Sequence, residues 1–222
     1  MNIIQKYTPH WSERKGWVPD MICCHQTSGS IQSCINWFAN PESKVSAHFA
    51  VAKDGTVYQF VPIEKMAWCN GTKTDSSASN YYGKSPNSLV RARKTNANLY
   101  TVSIEFENND TGILTELQYK AGLNLIQHIR NNVKKQFGVT IDADRLHIIG
   151  HCDCSPVNKA GCPGKDFPFD RLIEDLNDVA MLDRTALAKI QSKPIKHPAT
   201  LDDEPKSFFK KIIDRFKYHS LH

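Results

Sequence analysis

The sequence predicts an α/β fold, and three observations carry that prediction. Apolar runs of strand length recur along the chain, helical apolar stripes lie between them, and 40% hydrophobic with 23% charged residues suits one full-sized core. The formal charge of +5, with the histidines neutral, favours an anionic surface or polymer as partner but is too diffuse to point to nucleic acid. Residues 1–20 lack the apolar run of a signal peptide, and no later stretch is long enough to span a membrane, so synthesis in the cytosol is the expectation. In that reducing setting an odd count of seven cysteines reads as packing residues, metal ligands or nucleophiles, not as a disulfide framework.

The elements follow in order. Met21 to His25 (MICCH) is a short apolar run that reads as a buried strand delivering His25 to the sheet edge. Ile31 to Asn40 is helical in period, with Ile31, Cys34, Ile35 and Phe38 on one side and Asn40-Pro41 as the stop. Val45 to Ala52 and Thr56 to Val61 flank Lys53-Asp54-Gly55, the signature of an antiparallel hairpin. The stretch 70–98 is rich in Asn, Ser, Thr and Tyr without a clear period, and reads as a long loop, functional or disordered. Thr101 to Glu107 alternates cleanly: Val102, Ile104 and Phe106 face one way, while Thr101, Ser103, Glu105 and Glu107 face the other. Thr115-Glu116-Leu117-Gln118 opens a helix carrying Leu125, Ile126, Ile129, Val133 and Phe137, which Gly138 ends. Leu146 to His151 is another apolar strand closing on histidine, and Phe169 to about Ile190 suits a terminal helix.

The principal domain is thus expected to cover residues 1–190. A Pro-containing, acidic linker at 191–206 and a basic amphipathic helix at 207–222 follow, the latter with Phe208, Phe209, Ile212, Ile213 and Phe216 along one stripe. That stripe reads either as a helix docked on the domain or another subunit, or as a contact with an anionic wall polymer or a membrane surface.

The chemistry concentrates in GHCDCSPVNKAGCPG, residues 150–164. Two strands ending in His25 and His151, with Cys162 in the turn AGCPG, offer three donors that can meet at one sheet edge and leave zinc an open position. His147 shares the strand parity of His151, but four extended residues put it roughly 13 Å away, so it reads as a packed or surface histidine. Cys152 and Cys154 read as small buried hydrophobes, Trp68 as a core aromatic and His48 as a packed, hydrogen-bonded histidine. Taken alone, Glu105 is a solvated strand-face acid, and Glu107 a surface or supporting group.

The ordered set CHQTSGS (24–30), VSAHFAVAKDGTVYQFVP (45–62), MAWCNG (66–71), YTVSIEFEN (100–108) and the 150–164 segment resembles the type 2 class of zinc-dependent N-acetylmuramoyl-L-alanine amidases. That class includes phage lysins, bacterial autolysins and peptidoglycan-recognition proteins, and the likeness covers about residues 20–175. It implies a mixed central β-sheet flanked by helices, with a groove over one sheet edge and Zn2+ at its floor. His25, His151 and Cys162 fall on the ligand positions, and Glu105 on the catalytic glutamate. The implied partner is peptidoglycan, cut between N-acetylmuramic acid and L-alanine. With no signal peptide expected, a phage or prophage endolysin acting on the wall after release, or an autolysin, is the implied setting.

Two departures stand out. Members often carry Lys or Thr two residues before the third ligand, whereas Gly161 stands there and Lys159 lies three residues before Cys162, as an oxyanion stabiliser or a solvated lysine. Where many members read Ala-Trp-His, this chain reads Ala67-Trp68-Cys69, so a histidine contact is expected to be missing. Two rival readings remain: a peptidoglycan-binding module without turnover, and a cysteine hydrolase using His151 as base.

Overall fold

The structure, a computed structural model, describes residues 2–108 and 111–178. The expected linker, the basic helix and the far end of the helix expected to reach residue 190 lie outside the described residues. The strands are β1 (Ile3–Gln5), β2 (Trp11–Glu13), β3 (Met21–Gln26), β4 (Phe49–Val51), β5 (Val57–Gln59), β6 (Lys65–Ala67), β7 (Thr101–Phe106) and β8 (Ile148–Gly150). The α-helices are α1 (Ile31–Ala39), α2 (Ser88–Arg93), α3 (Glu116–Phe137) and α4 (His151–Cys154), and residues 169–178 are helical as well. Six strands form one sheet in the order β1-β5-β4-β7-β3-β8, and β2 pairs with β6 apart from it. Only the β4/β5 hairpin is antiparallel within the large sheet, so the sheet is mixed.

The hairpin turns where Asp-Gly predicted it, with Gly55 at φ +87° and its N–H donating to Ala52 at 2.9 Å. Helix α3 likewise begins and ends as expected. The Thr115 hydroxyl accepts from the Gln118 N–H at 3.1 Å, and Gly138 closes the helix at φ +71°. The capping box is only half made, because the Gln118 amide reaches instead to the carbonyls of Val51 and Glu107 at 2.9 and 3.1 Å. That diversion ties the start of α3 to β4 and β7.

One face of the sheet, with Ile22, Cys24, Val102, Ile104 and Phe106, packs on Leu125, Ile126, Ile129 and Val133 of α3 and on Leu172 and Leu176. Each such fully buried aliphatic chain contributes about 1.5–3 kcal/mol before entropy is counted. The other face of β7 is also buried, so the polar alternation of Thr101, Ser103 and Glu105 marks a second interior face and not solvent. It is covered in part by α1, through Cys34 and Phe38, and by Val90, Ala97 and Leu99 of the preceding segment.

Residues 70–98 are correspondingly not a structureless loop. They hold α2, a 3-10 turn at Tyr82–Lys84 and the start of another at Ala97–Leu99. Asparagines supply the order that apolar period does not. Asn87 caps α2 through the Leu89 and Val90 N–H groups, and Asn98 accepts from the Asn70 N–H at 2.8 Å.

Arg14 is a further residue with no signal in the apolar pattern. Buried and in no ion pair among the described residues, its guanidinium donates to the carbonyls of Ile63, Asn98, Leu99 and Thr101 at 2.7–3.3 Å. Its NH2 group stands 3.0 Å from Nε2 of buried His48, which also lies 3.0 Å from the Lys65 carbonyl. The Ser103 N–H donates to His48 Nδ1 at 3.0 Å, so His48 is the packed, hydrogen-bonded histidine expected.

Burial, and then the Arg14 charge, hold the His48 pKa down at about 3. Between that value and about 6.5 the unfolded chain binds a proton that the folded chain refuses. The stabilisation from neutral His48 is therefore complete above pH 6.5 and is lost as pH falls, at about 1.4 kcal/mol per pH unit. Denaturant titrations across pH 4–6 are expected to show a shallower slope by that amount in His48→Gln than in the wild type. Equal slopes would contradict the assignment.

Candidate metal centre

The site assembles where three parallel strands end together. β3 and β7 pair in register with His25 opposite Glu105, which sets both side chains on the second interior face. β8 runs beside β3 and ends at Gly150, and His151 opens the four-residue α4 immediately after it. Asp153 fixes this corner: its carboxylate accepts from the Gly150 N–H at 2.8 Å and pairs with Arg145 at 2.7 Å.

Cys162 returns to the same corner through a bonded turn. Its N–H donates to the Lys159 carbonyl, and its carbonyl accepts from the Cys152 N–H, both at 3.0 Å. The Gln26 amide donates to Gly161 at 3.1 Å, anchoring the turn to the end of β3. Gly150 makes this approach possible, since a Cβ there would lie 2.7 Å from Pro163 Cδ and 3.3 Å from the Cys162 carbonyl. Gly150→Ala is therefore expected to push the turn outward, costing about 1–3 kcal/mol of stability. Zinc binding should weaken at least tenfold, read by thermal melting and competitive metal titration.

The ligand atoms of His25, His151 and Cys162 lie within 4.8 Å of one another. The imidazole centroids of His25 and His151 are 4.4 Å apart, and Cys162 Sγ is 3.9 Å from His25 Nδ1. Glu105 Oε1 stands 4.0 Å from the same Nδ1, while its buried Oε2 has no hydrogen-bond partner among the described residues.

The electrostatics test whether this corner fits a cation. Burial, then the neighbouring His151, holds His25 well below its ordinary pKa; burial, then Lys159, holds His151 at about 3. Both imidazoles are therefore neutral and have a lone pair to give. Burial raises the Glu105 carboxyl to about 8, a rise that Lys159 partly opposes, and burial followed by the Glu105 charge raises the Cys162 thiol to about 12. A buried carboxyl and a partly buried thiol, both of which become anions, thus stand beside two neutral imidazoles, an arrangement that a divalent cation would relieve. Two nitrogens and one sulfur also match the donors zinc takes when it keeps an open position.

The corner opens to a cavity of about 280 Å³ lined by His25, Gln26, Cys69, Glu105, His151 and Cys162, among others. An adjoining cavity of about 420 Å³ shares Gln26, Ser28, Glu105 and Lys159 with it and extends to Ser33 and Trp37 of α1. Lys159 is exposed on the wall of both. A wider concavity of about 960 Å³ lies along β5 and α3, between Gly55 and His128, and holds none of these donors.

Other sequence expectations sort by geometry. His147 pairs with Asp144 at 2.7 Å at the far end of β8, away from His151. Cys154 is fully buried as expected, but Cys152 is partly exposed, and its sulfur would lie 3.1 Å from a Cβ placed on Gly150. Trp68 is only half-buried and donates to Ser12 at 2.9 Å. Glu107 is a supporting group, accepting from the Ile31 N–H at the start of α1 and from the Lys53 N–H. Cys69 had no role assigned from the sequence beyond the absence of a histidine at that place; the structure puts its thiol there, with Sγ 3.6 Å from His25 Nε2. Its only signal in the sequence was the departure from Ala-Trp-His.

A mixed sheet at whose edge His25, His151, Cys162 and a buried glutamate meet defines a candidate metallohydrolase. The chain belongs to the N-acetylmuramoyl-L-alanine amidase family Amidase_2, whose pattern matches residues 15–165. It is 28% identical over 135 residues to the 1,6-anhydro-N-acetylmuramyl-L-alanine amidase AmpD of Haemophilus influenzae, covering 61% of this chain and 60% of that one. It thus spans about three fifths of that relative's length. Identity to N-acetylmuramoyl-L-alanine amidase A of Achromobacter lyticus is 25% over 169 residues, 70% of this chain and 82% of the other. Among solved structures, a selenomethionine AmpD derivative aligns with a TM-score of 0.54 at 22% identity, over 77% of this chain and 92% of that one. A mutant endolysin from Bacillus subtilis aligns at 0.52 and 21% identity, over 79% and 99%. These structural likenesses concern the fold. Among the described residues no helix is long and apolar enough to cross a membrane.

Proposed function

We propose that this protein hydrolyses the amide bond between the lactyl group of N-acetylmuramic acid and L-alanine in peptidoglycan. The observation that carries the reading is the convergence of His25, His151 and Cys162 within 4.8 Å beside the unpartnered Glu105 oxygen, in a chain of the amidase family. His25, His151 and Cys162 would hold zinc. The chemistry such an ion supplies when bound is a lowered pKa for water, towards about 7, and polarisation of the amide carbonyl.

The remaining work falls to the chain. Glu105 lines the cavity with an oxygen that has no partner among the described residues; its carboxylate form, favoured by a cation at the three donors, takes a proton from the attacking water and returns it to the leaving nitrogen. Lys159, on the wall of both cavities, brings its positive charge to the developing oxyanion. The adjoining cavity along α1 gives the glycan or the stem peptide a bed that continues from the reacting bond. A pure binding module would have no use for a buried carboxylate beside an incomplete set of ligands.

The natural substrate is proposed to be polymeric wall, as for an endolysin or autolysin. The similarity to relatives named as 1,6-anhydro-N-acetylmuramyl-L-alanine amidases favours a second reading, in which the substrate is a soluble anhydro-muropeptide. Incubation of zinc-loaded protein with purified walls, and separately with anhydro-muropeptide, distinguishes them by where new N-terminal L-alanine is released. Release from neither, with binding to walls retained, would refute the amidase reading.

A further inference from the structure

The two ring nitrogens of His25 face different partners. Nδ1 looks into the corner, 3.9 Å from Cys162 Sγ and 4.0 Å from Glu105 Oε1. Nε2 faces Cys69 Sγ at 3.6 Å, on another side of the ring. A neutral imidazole gives a lone pair from one nitrogen only when the proton sits on the other, so whatever holds that proton selects the ligand atom.

The Cys69 sulfur is prepared for this. Its S–H donates to Asn70 Oδ1 at 2.8 Å, which leaves the sulfur lone pairs to accept from Nε2–H. Asn70 is 1% exposed and rigidly placed: its N–H donates to Asn98 Oδ1 at 2.8 Å and its amide donates to Thr101 Oγ1. Thr101 Oγ1 in turn donates to the Ala97 carbonyl at 2.7 Å. The asparagine-ordered segment between β6 and β7 thereby reaches the metal corner through one thiol.

We propose that Cys69 is a positioning residue, a thiol that accepts the Nε2 proton of His25 and so presents Nδ1 to the metal, without being a ligand itself. This rests on the zinc reading of the site. Cys69 lies outside the group of donors that come within 4.8 Å of one another. It touches the His25 ring without belonging to that group, and so is placed to orient a ligand.

The test compares wild type, Cys69→Ala and Cys69→Ser. Competitive zinc titration gives the affinity, long-range 1H–15N correlation gives the His25 tautomer, and cobalt(II) absorption counts thiolate ligands. Melting of the metal-free proteins checks that each variant folds. Cys69→Ala is expected to bind zinc about 10–100-fold more weakly. Cys69→Ser, which keeps an acceptor at that place, should return to within a few-fold of wild type. Wild-type cobalt protein should show one thiolate.

Affinity and tautomer unchanged in Cys69→Ala would overturn the role of Cys69 alone. So would two thiolates on cobalt in the wild type, or equal losses in Ala and Ser. A wild-type protein that takes up no zinc would overturn the metal reading and this inference together.

Discussion

Glu105→Gln is expected to lower amidase turnover about 10²–10⁴-fold, the range a positioned general base contributes, while zinc content stays at the wild-type level. Glutamine keeps the shape of the side chain and one acceptor oxygen but cannot carry a proton between water and nitrogen. The site makes the replacement gentle, since Glu105 is 8% exposed and burial already raises its carboxyl to about 8. A carboxyl raised that far is largely neutral near pH 7 in the metal-free protein, so a neutral amide of the same shape should leave its melting temperature unchanged. Turnover on muramyl-peptide and zinc content are the two readings. Activity within a few-fold of wild type would remove Glu105 from the reaction.

Cys162→Ala is expected to lower zinc affinity by two or more orders of magnitude, with turnover falling to background. The turn still closes in this variant, because the Cys152 N–H bonds the residue 162 carbonyl and not its side chain. Cys152→Ser, at the same corner but outside the donor group, serves as the control and should keep zinc. The pair also separates the metal account from a cysteine hydrolase. A chelator should silence the wild type, and added zinc should restore it; a thiol nucleophile would ignore both treatments.

The parts of this site that were legible in the sequence are those set by strand physics. MICCH and the run ending at His151 are apolar stretches that stop on a polar donor, and parallel pairing brings such endings to one edge. Glu105 was readable by parity, though its burial was not. The alternation in β7 is the same whether the polar face meets water or a second layer of protein. Cys162 was readable because AGCPG forces a turn close after His151.

What stayed hidden was held by side-chain bonding and not by periodicity. The segment 70–98 looks featureless because Asn70, Asn87 and Asn98 order it through their amides, and polar caps leave no apolar rhythm. The three-residue strands β2 and β6 are too short to show alternation at all. Arg14 satisfies carbonyls from separate segments, a role that becomes visible only when those segments have met. Cys69 was passed over for the same reason, since its meaning lies in the ring 44 positions earlier in the chain.

The account's central claim is tested most directly by anomalous diffraction at the zinc edge from crystals of the zinc-loaded protein. It predicts one peak at about 2.0–2.1 Å from a nitrogen of His25 and of His151, and at about 2.3 Å from the Cys162 sulfur. A peak elsewhere, or none at this corner with the metal in excess, would contradict it.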